Sequence, residues 1–166
     1  MKLIREESSI IATCPKCDHK FNIYERNIET IIRTARDIYN VFMFLGAIDH
    51  EELHVALLNT RNRIMSRHMI YSGNISQSLV RVSEVLREAI RTNAPAFILI
   101  HNHPSGDATP SPDDLHLTAE VLAAARLFDI ELLDHVIVAG TEYVSLRDRG
   151  VSFDREIKPN PYLGGN

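Results

Sequence analysis

The chain has 166 residues, 45% of them hydrophobic and 24% charged, and a formal net charge of −4. That size suits one compact domain with a short extension, and the composition is that of an ordinary globular protein. The acidic balance argues against a surface built mainly to replace counterions along nucleic-acid phosphates, and no apolar run approaches the ~18 residues of a membrane span.

The start, Met1-Lys2-Leu3-Ile4-Arg5-Glu6-Glu7, is charged too early for a secretory signal, so a cytoplasmic location is expected. Residues 1–22 read as irregular. They hold the two cysteines, Cys14 and Cys17, as Cys-Pro-Lys-Cys. A structural zinc site needs four ligands; His19 offers a third, and no fourth is evident. Half a site completed by another chain, a redox pair and a relic all stay open, while a disulfide scaffold is excluded by the low cysteine count.

From Tyr24 to Leu45 apolar residues recur at three- and four-residue steps (Ile28, Ile31, Ile32, Ala35, Ile38, Tyr39, Phe42), which predicts a helix stopped by Gly46. Leu53–Leu58 and Arg63–Tyr71 flank the polar turn Asn59-Thr60-Arg61-Asn62 and read as a hairpin. Val82, Val85, Leu86, Ala89 and Ile90 mark an amphipathic helix ending near Asn93. Ala96–Ile100 is a short apolar strand, expected to be central and covered on both faces. A further helix runs from Pro112 to Phe128, with Leu115, Ala119, Leu122, Ala123 and Leu127 along one side. Ile130–Val138 and Glu142–Leu146 read as strands, and the tail from Asp154, with Pro159, Pro161, Gly164 and Gly165, reads as mobile. The arginine clusters Arg61/Arg63/Arg67 and Arg81/Arg87/Arg91 read as solvated faces. This order predicts an α/β (α+β) protein, a mixed sheet sandwiched by helices. It divides the chain into an N-terminal extension (1–48), a main domain (49–153) and a tail (154–166).

Immediately after the apolar strand comes His101-Asn102-His103-Pro104-Ser105-Gly106. Alternation along extended chain sends His101 and His103 to one side and Asn102 to the other. The end of a buried strand is where open α/β sheets tend to carry their sites. The next helix opens on Ser111-Pro112-Asp113-Asp114, with Ser111 as N-cap, Pro112 in the first helical position and Asp114 in the third. A capping role alone accounts for this pattern. A carboxylate in that turn, a short loop from two histidines, is also a natural third metal ligand. Two histidines and one carboxylate leave a fourth zinc position open, as in catalytic rather than structural sites.

His101-x-His103, seven residues, then Ser111-x-x-Asp114 resembles the JAMM (MPN+) metalloprotease motif at every specified position. The wider text His101–Thr118, with Ile130–Val138 and Tyr143–Gly150, resembles the RadC branch of that superfamily, over Asp49–Phe153. The resemblance implies a JAB/MPN-type, cytidine-deaminase-like fold, Zn2+ held by His101, His103 and Asp114, and hydrolysis of an amide or isopeptide bond in a peptide or protein substrate. It also implies an upstream glutamate. Glu51 is favoured over Glu52, because it shares a strand face with Leu53, Val55 and Leu57, whereas Glu52 on the opposite face would be solvated. Glu51 would then act as general base and Ser111 as hydrogen-bond donor to the oxyanion.

Asp134-His135 interrupts an apolar strand. A satisfied structural pair, support for a zinc histidine and a substrate contact all remain open there. Ser105 is expected to shape the turn, His116 to be exposed, and Ser145 not to be a nucleophile. RadC proteins commonly carry an N-terminal helical region resembling helix-hairpin-helix DNA-binding modules, whereas the 48 residues before Asp49 contain one helix and no glycine-rich hairpin. That departure weakens a DNA-repair reading, and a DNA-processing accessory protein with a structural or vestigial metal is kept as the alternative. DNA association and a homodimer stay open as partners, and no membrane is expected.

Overall fold

Strands open the chain where irregular structure was expected. In the computed structural model, which describes residues 3–6, 9–13, 20–22, 30–73 and 80–153, β1 (Leu3–Glu6), β2 (Ser9–Thr13) and β3 (Lys20–Asn22) form an antiparallel sheet in the order β1-β2-β3. Each has three to five residues, too few for two-residue alternation to stand out in the sequence. This sheet belongs to a unit spanning Met1–Thr30, and Ile31–Asn166 form a second unit. Cys14, Cys17, His19 and the tail from Asp154 lie outside the described residues.

Within the second unit the first helix starts later than the apolar spacing predicts, the predicted stretch over 24–29 lying outside the described residues. It runs as α1 over Ala35–Phe42, because Thr34 starts it with a capping box. The Thr34 hydroxyl accepts from the Asp37 amide, and Asp37 Oδ2 accepts from the amides of Arg33 and Thr34 at 2.9 Å. Ile31 pairs instead with Arg63 in an isolated bridge. A 3-10 turn, Met43–Ala47, carries the chain on to β4 (Glu51–Leu58) and β5 (Ile64–Gly73), the expected hairpin. In its loop Asn59 Oδ1 accepts from the Arg61 and Arg63 amides, and Asn62 takes a left-handed φ of 53°.

Helix α2 (Val82–Thr92) ends on Asn93 in left-handed conformation. Next come β6 (Ala96–Asn102), α3 (Pro112–Leu127), β7 (Glu131–Ala139) and β8 (Glu142–Ser145). The sheet order is β5-β4-β6-β7-β8, antiparallel except for β6 beside β7. All seven residues of β6 are buried, as expected for a central strand covered on both faces.

Strand alternation divides the core. Leu53, Val55, Leu57, Phe97, Leu99 and Ile137 pack with α2 and α3 in one cluster, and Ala56, Leu58, Ile98, Ile100 and Val136 occupy the opposite face. α1 and the 3-10 turn pack against the sheet through Ile38, Phe42 and Leu45, each at most 1% exposed. Helix α1, assigned by sequence to the N-terminal extension, is thus a layer of the sheet-bearing unit. The result is a mixed α/β fold of JAB type.

The buried side of α3 differs from the one expected. Leu117, Thr118, Val121, Leu122 and Ala125 are buried, whereas Leu115 and Leu127 are 43% and 85% exposed and Ala119 and Ala123 also face outward. Asp114 faces the histidines, so the residues three and four positions later share that inward face.

Candidate metal centre

The sheet register aligns the candidate residues. Leu53 of β4 pairs with His101 of β6, and Leu99 of β6 pairs with His135 of β7. Alternation therefore puts Glu51, His101 and His135 on the α2/α3 face. β6 ends at Asn102, yet the His103 amide donates to the Val138 carbonyl at 2.8 Å, which holds the second histidine against β7. Asp114 reaches the pair from the first turn of α3.

The three ligand atoms converge. His101 Nε2 lies 2.9 Å from His103 Nε2, Asp114 Oδ1 lies 3.1 Å from His101 Nε2, and Asp114 Oδ2 lies 3.4 Å from His103 Nε2. Among the described residues this is the group of histidine, cysteine and acidic side chains placed to hold a metal. His103 Nδ1 donates to the Asp107 carbonyl at 2.7 Å, so the neutral ring offers its Nε2 lone pair to the cluster. Two imidazole nitrogens and a carboxylate this close require a cation or a shared proton among them. Tetrahedral zinc with 2.0–2.1 Å bonds sets its ligand atoms ~3.3 Å apart, so the donor set fits the ion after shifts of a few tenths of an ångström.

The electrostatics agree. Burial alone would raise the Asp114 carboxyl, but hydrogen bonds with His101 and His103, the His101 charge and the Ser111 hydroxyl outweigh it and hold Asp114 ionised well below the usual carboxylate range. Asp114 in turn raises His103, aided by the Asp107 carbonyl and the Glu51 charge and opposed by burial. His135, fully buried, is pushed well below the ordinary imidazole value. The side chains of His103 and Asp114 keep 14% and 13% of their surface exposed, against 4% for His101, so the cluster opens to solvent past His103.

The surrounding residues divide into supports and bystanders. Ser111 is bound to Asp114 in a capping box: its hydroxyl and its amide both donate to Oδ2 at 2.7 Å, and the hydroxyl accepts from the Asp114 amide at 3.1 Å. Asn102 turns away from the histidines, accepting from the Glu52 amide at 2.7 Å and donating to the His50 carbonyl at 2.9 Å. It thereby ties down the chain on both sides of Glu51. Glu52 is not solvated as expected. Its side chain is 12% exposed and accepts from His54 Nε2 at 2.8 Å and His50 Nε2 at 3.1 Å, because the opposite sheet face is itself covered, with Phe42 and Phe44 edge-on to His54.

Asp134 and His135 share no side-chain bond and face opposite ways. Asp134 accepts from the His135 and Arg147 amides and from the Ser145 hydroxyl. His135 Nε2 meets His101 Nδ1 at 2.8 Å, and its Nδ1 meets the Thr118 hydroxyl at 2.6 Å. Thr118 was not singled out in the sequence, where it reads as an ordinary mid-helix threonine. Ser105 accepts from the Asp107 amide in the exposed turn, and His116 is 59% exposed beside Glu120. Arg67 is not merely solvated, since its guanidinium lies 5.8 Å from the Phe42 ring centre.

A helix-flanked mixed sheet with a His-x-His pair at the end of its central strand and an Asp in the following helix defines a JAB-type domain. The family profile described as RadC-like JAB domain matches residues 32–151, and the chain belongs to that family. Similar proteins include UPF0758 proteins of Chloroflexus aggregans, 44% identical over 124 residues, Roseiflexus castenholzii, 45% over 129, and Bacillus pumilus, 36% over 121. These matches take in 74%, 77% and 72% of this chain and 54% of each relative. The chain therefore spans about half the length of the curated relatives it matches.

Proposed function

We propose that the chain is a zinc-dependent hydrolase of the JAMM (MPN+) type that cleaves an amide or isopeptide bond in a peptide or protein substrate. The observation that carries this reading is the convergence of His101 Nε2, His103 Nε2 and the Asp114 carboxylate within 4.8 Å of one another. Two nitrogens and one oxygen leave a tetrahedral position open, the donor set of a catalytic rather than a structural zinc. Zinc held by these residues supplies Lewis acidity that brings the pKa of a water to about 7. Glu51 takes the proton from the attacking water and delivers it to the leaving amine, from the same sheet face as His101. The Ser111 hydroxyl holds Asp114 in its ligating orientation, and the open side past His103 admits the substrate.

The test combines metal analysis with a Glu51→Gln variant. Protein loaded with zinc and freed of excess is assayed for bound metal, then incubated with a peptide library and with isopeptide-linked conjugates, the products being read by mass spectrometry. Wild type and Glu51→Gln should both retain one zinc per chain, with new amine termini appearing only in the wild type. A wild-type chain that retains no zinc, or a Glu51→Gln variant as active as wild type, overturns the reading.

A further inference from the structure

A buried histidine beside a metal ligand is an expensive way to fill a core position unless its ring nitrogens have work. His135 is 0% exposed, and among the described residues its ring nitrogens meet Thr118 and His101 and no carboxylate. The direction of each hydrogen bond follows from one fixed end. The Asp114 main-chain carbonyl can only accept, so the Thr118 hydroxyl, 2.6 Å away, spends its single proton there. Thr118 Oγ must then accept from His135 Nδ1–H at 2.6 Å. A neutral imidazole carries one ring proton, so His135 Nε2 is bare and accepts from His101 Nδ1–H at 2.8 Å. His101 is left with its lone pair on Nε2, the atom turned to His103 and Asp114.

We propose that His135 and Thr118 are positioning residues for the metal ligand His101, forming a one-directional hydrogen-bond chain, anchored on the Asp114 main-chain carbonyl, that fixes the Nδ1–H form of His101. The proposal rests on the metal-binding reading of the site and adds the residues that set its donor atoms. The chain closes a circuit, since the residue that supplies the third ligand also supplies the acceptor that orients the first. β6, β7 and α3 are coupled by it, which matters because the three ligands come from only two of them. A threonine that bonds its own helix four residues back is common. Here its remaining lone pair faces a histidine that has one other partner.

Two measurements test it. In wild-type protein, two-bond proton–nitrogen NMR spectra of the imidazoles should show His135 protonated on Nδ1 and bare on Nε2 in metal-free as well as zinc-loaded protein, and His101 protonated on Nδ1 and bare on Nε2 in the zinc-loaded protein. Zinc affinity, read by competition with a chromophoric chelator, should fall about 10–100-fold in Thr118→Val and His135→Phe and stay at the wild-type level in Thr118→Ser, which keeps the hydroxyl. Circular dichroism confirms that each variant is folded. His135 protonated on Nε2 overturns the proposal, as does a folded Thr118→Val with wild-type zinc affinity. If the wild type binds no zinc, the metal reading fails by itself, and the spectra of the metal-free protein still decide the direction of the chain.

Discussion

Ser111→Ala separates two roles for the serine that are equivalent in the sequence. An oxyanion donor acts on substrate, so its loss lowers kcat and leaves zinc affinity and stability alone. The structure instead engages the hydroxyl twice with Asp114, accepting from its amide at 3.1 Å and donating to its Oδ2 at 2.7 Å. Losing the cap costs ~1 kcal/mol, and a hydrogen bond to an ionised carboxylate contributes roughly 1.5–3 kcal/mol. Asp114 keeps the Ser111 amide and both histidines as partners, so the second contribution falls at its lower end, and the total is about 2.5 kcal/mol. For a chain of this size that corresponds to a Tm lower by roughly 5–10 °C. Urea unfolding of the metal-free protein at pH 7 measures the stability, and chelator competition measures zinc binding, which should weaken about tenfold as the carboxylate loses its orienting donor. Ser111→Thr, which keeps the hydroxyl, should restore most of both. A Ser111→Ala protein within ~0.5 kcal/mol of wild type and with unchanged zinc affinity would refute the orienting role.

Gly46→Ala should destabilise by ~3 kcal/mol or more, because a Cβ there would lie 1.9 Å from the Gly140 carbonyl oxygen and both sides of the clash are backbone. Gly140→Ala, in open space but at a φ of 56°, should lose only ~1–2 kcal/mol; urea midpoints ranked the other way would refute the packing argument. Burial lowers His54 below the ordinary 6.5 against the pull of Glu52, so between that lowered value and 6.5 the unfolded chain takes up a proton that the folded chain refuses. His54 stabilisation is thus full above pH 6.5 and lost as the pH falls through that window, at up to ~1.4 kcal/mol per pH unit. His54→Gln should unfold with a shallower acid slope between pH 7 and 5, and an unchanged slope would remove His54 from the account.

What could be read from the sequence was what is decided locally. The spacing of His101 and His103 follows from strand alternation, and Ser111-Pro112-Asp113-Asp114 specifies the start of α3 through its own capping chemistry. The inward side of α3 was not legible, because Leu115, Leu117, Ala119, Val121, Leu122, Ala123, Ala125 and Leu127 leave apolar residues on every side. The contact that orients the helix, Asp114 against two histidines, lies outside any window of helical periodicity. Glu52 failed for a related reason. Parity correctly put it opposite Glu51, but whether that face meets water depends on α1 and the 3-10 turn that lie over it. The start of α1 was hidden too, since Ile28, Ile31 and Ile32 continue a helical spacing that the Thr34–Asp37 capping box interrupts.

The alternation that makes His101 and His103 a pair also gives the residue between them its task. Asn102, 1% exposed, faces the other way and bonds the main chain at His50 and Glu52, where the β4–β6 ladder has already ended at Leu53 and His101. Its amide thus replaces the next rung and holds Glu51, the proposed base, at a set distance along the strand from the ligands. His103 is held by the Asp107 and Val138 carbonyls, Asp114 by Ser111, and His101 by His135. Each candidate ligand has its own anchor within the protein, so the fold itself holds the donor atoms in place. Little ordering entropy would then remain to be lost on binding a metal, and a short polar segment at one strand end specifies both the candidate metal ligands and the position of the proposed base.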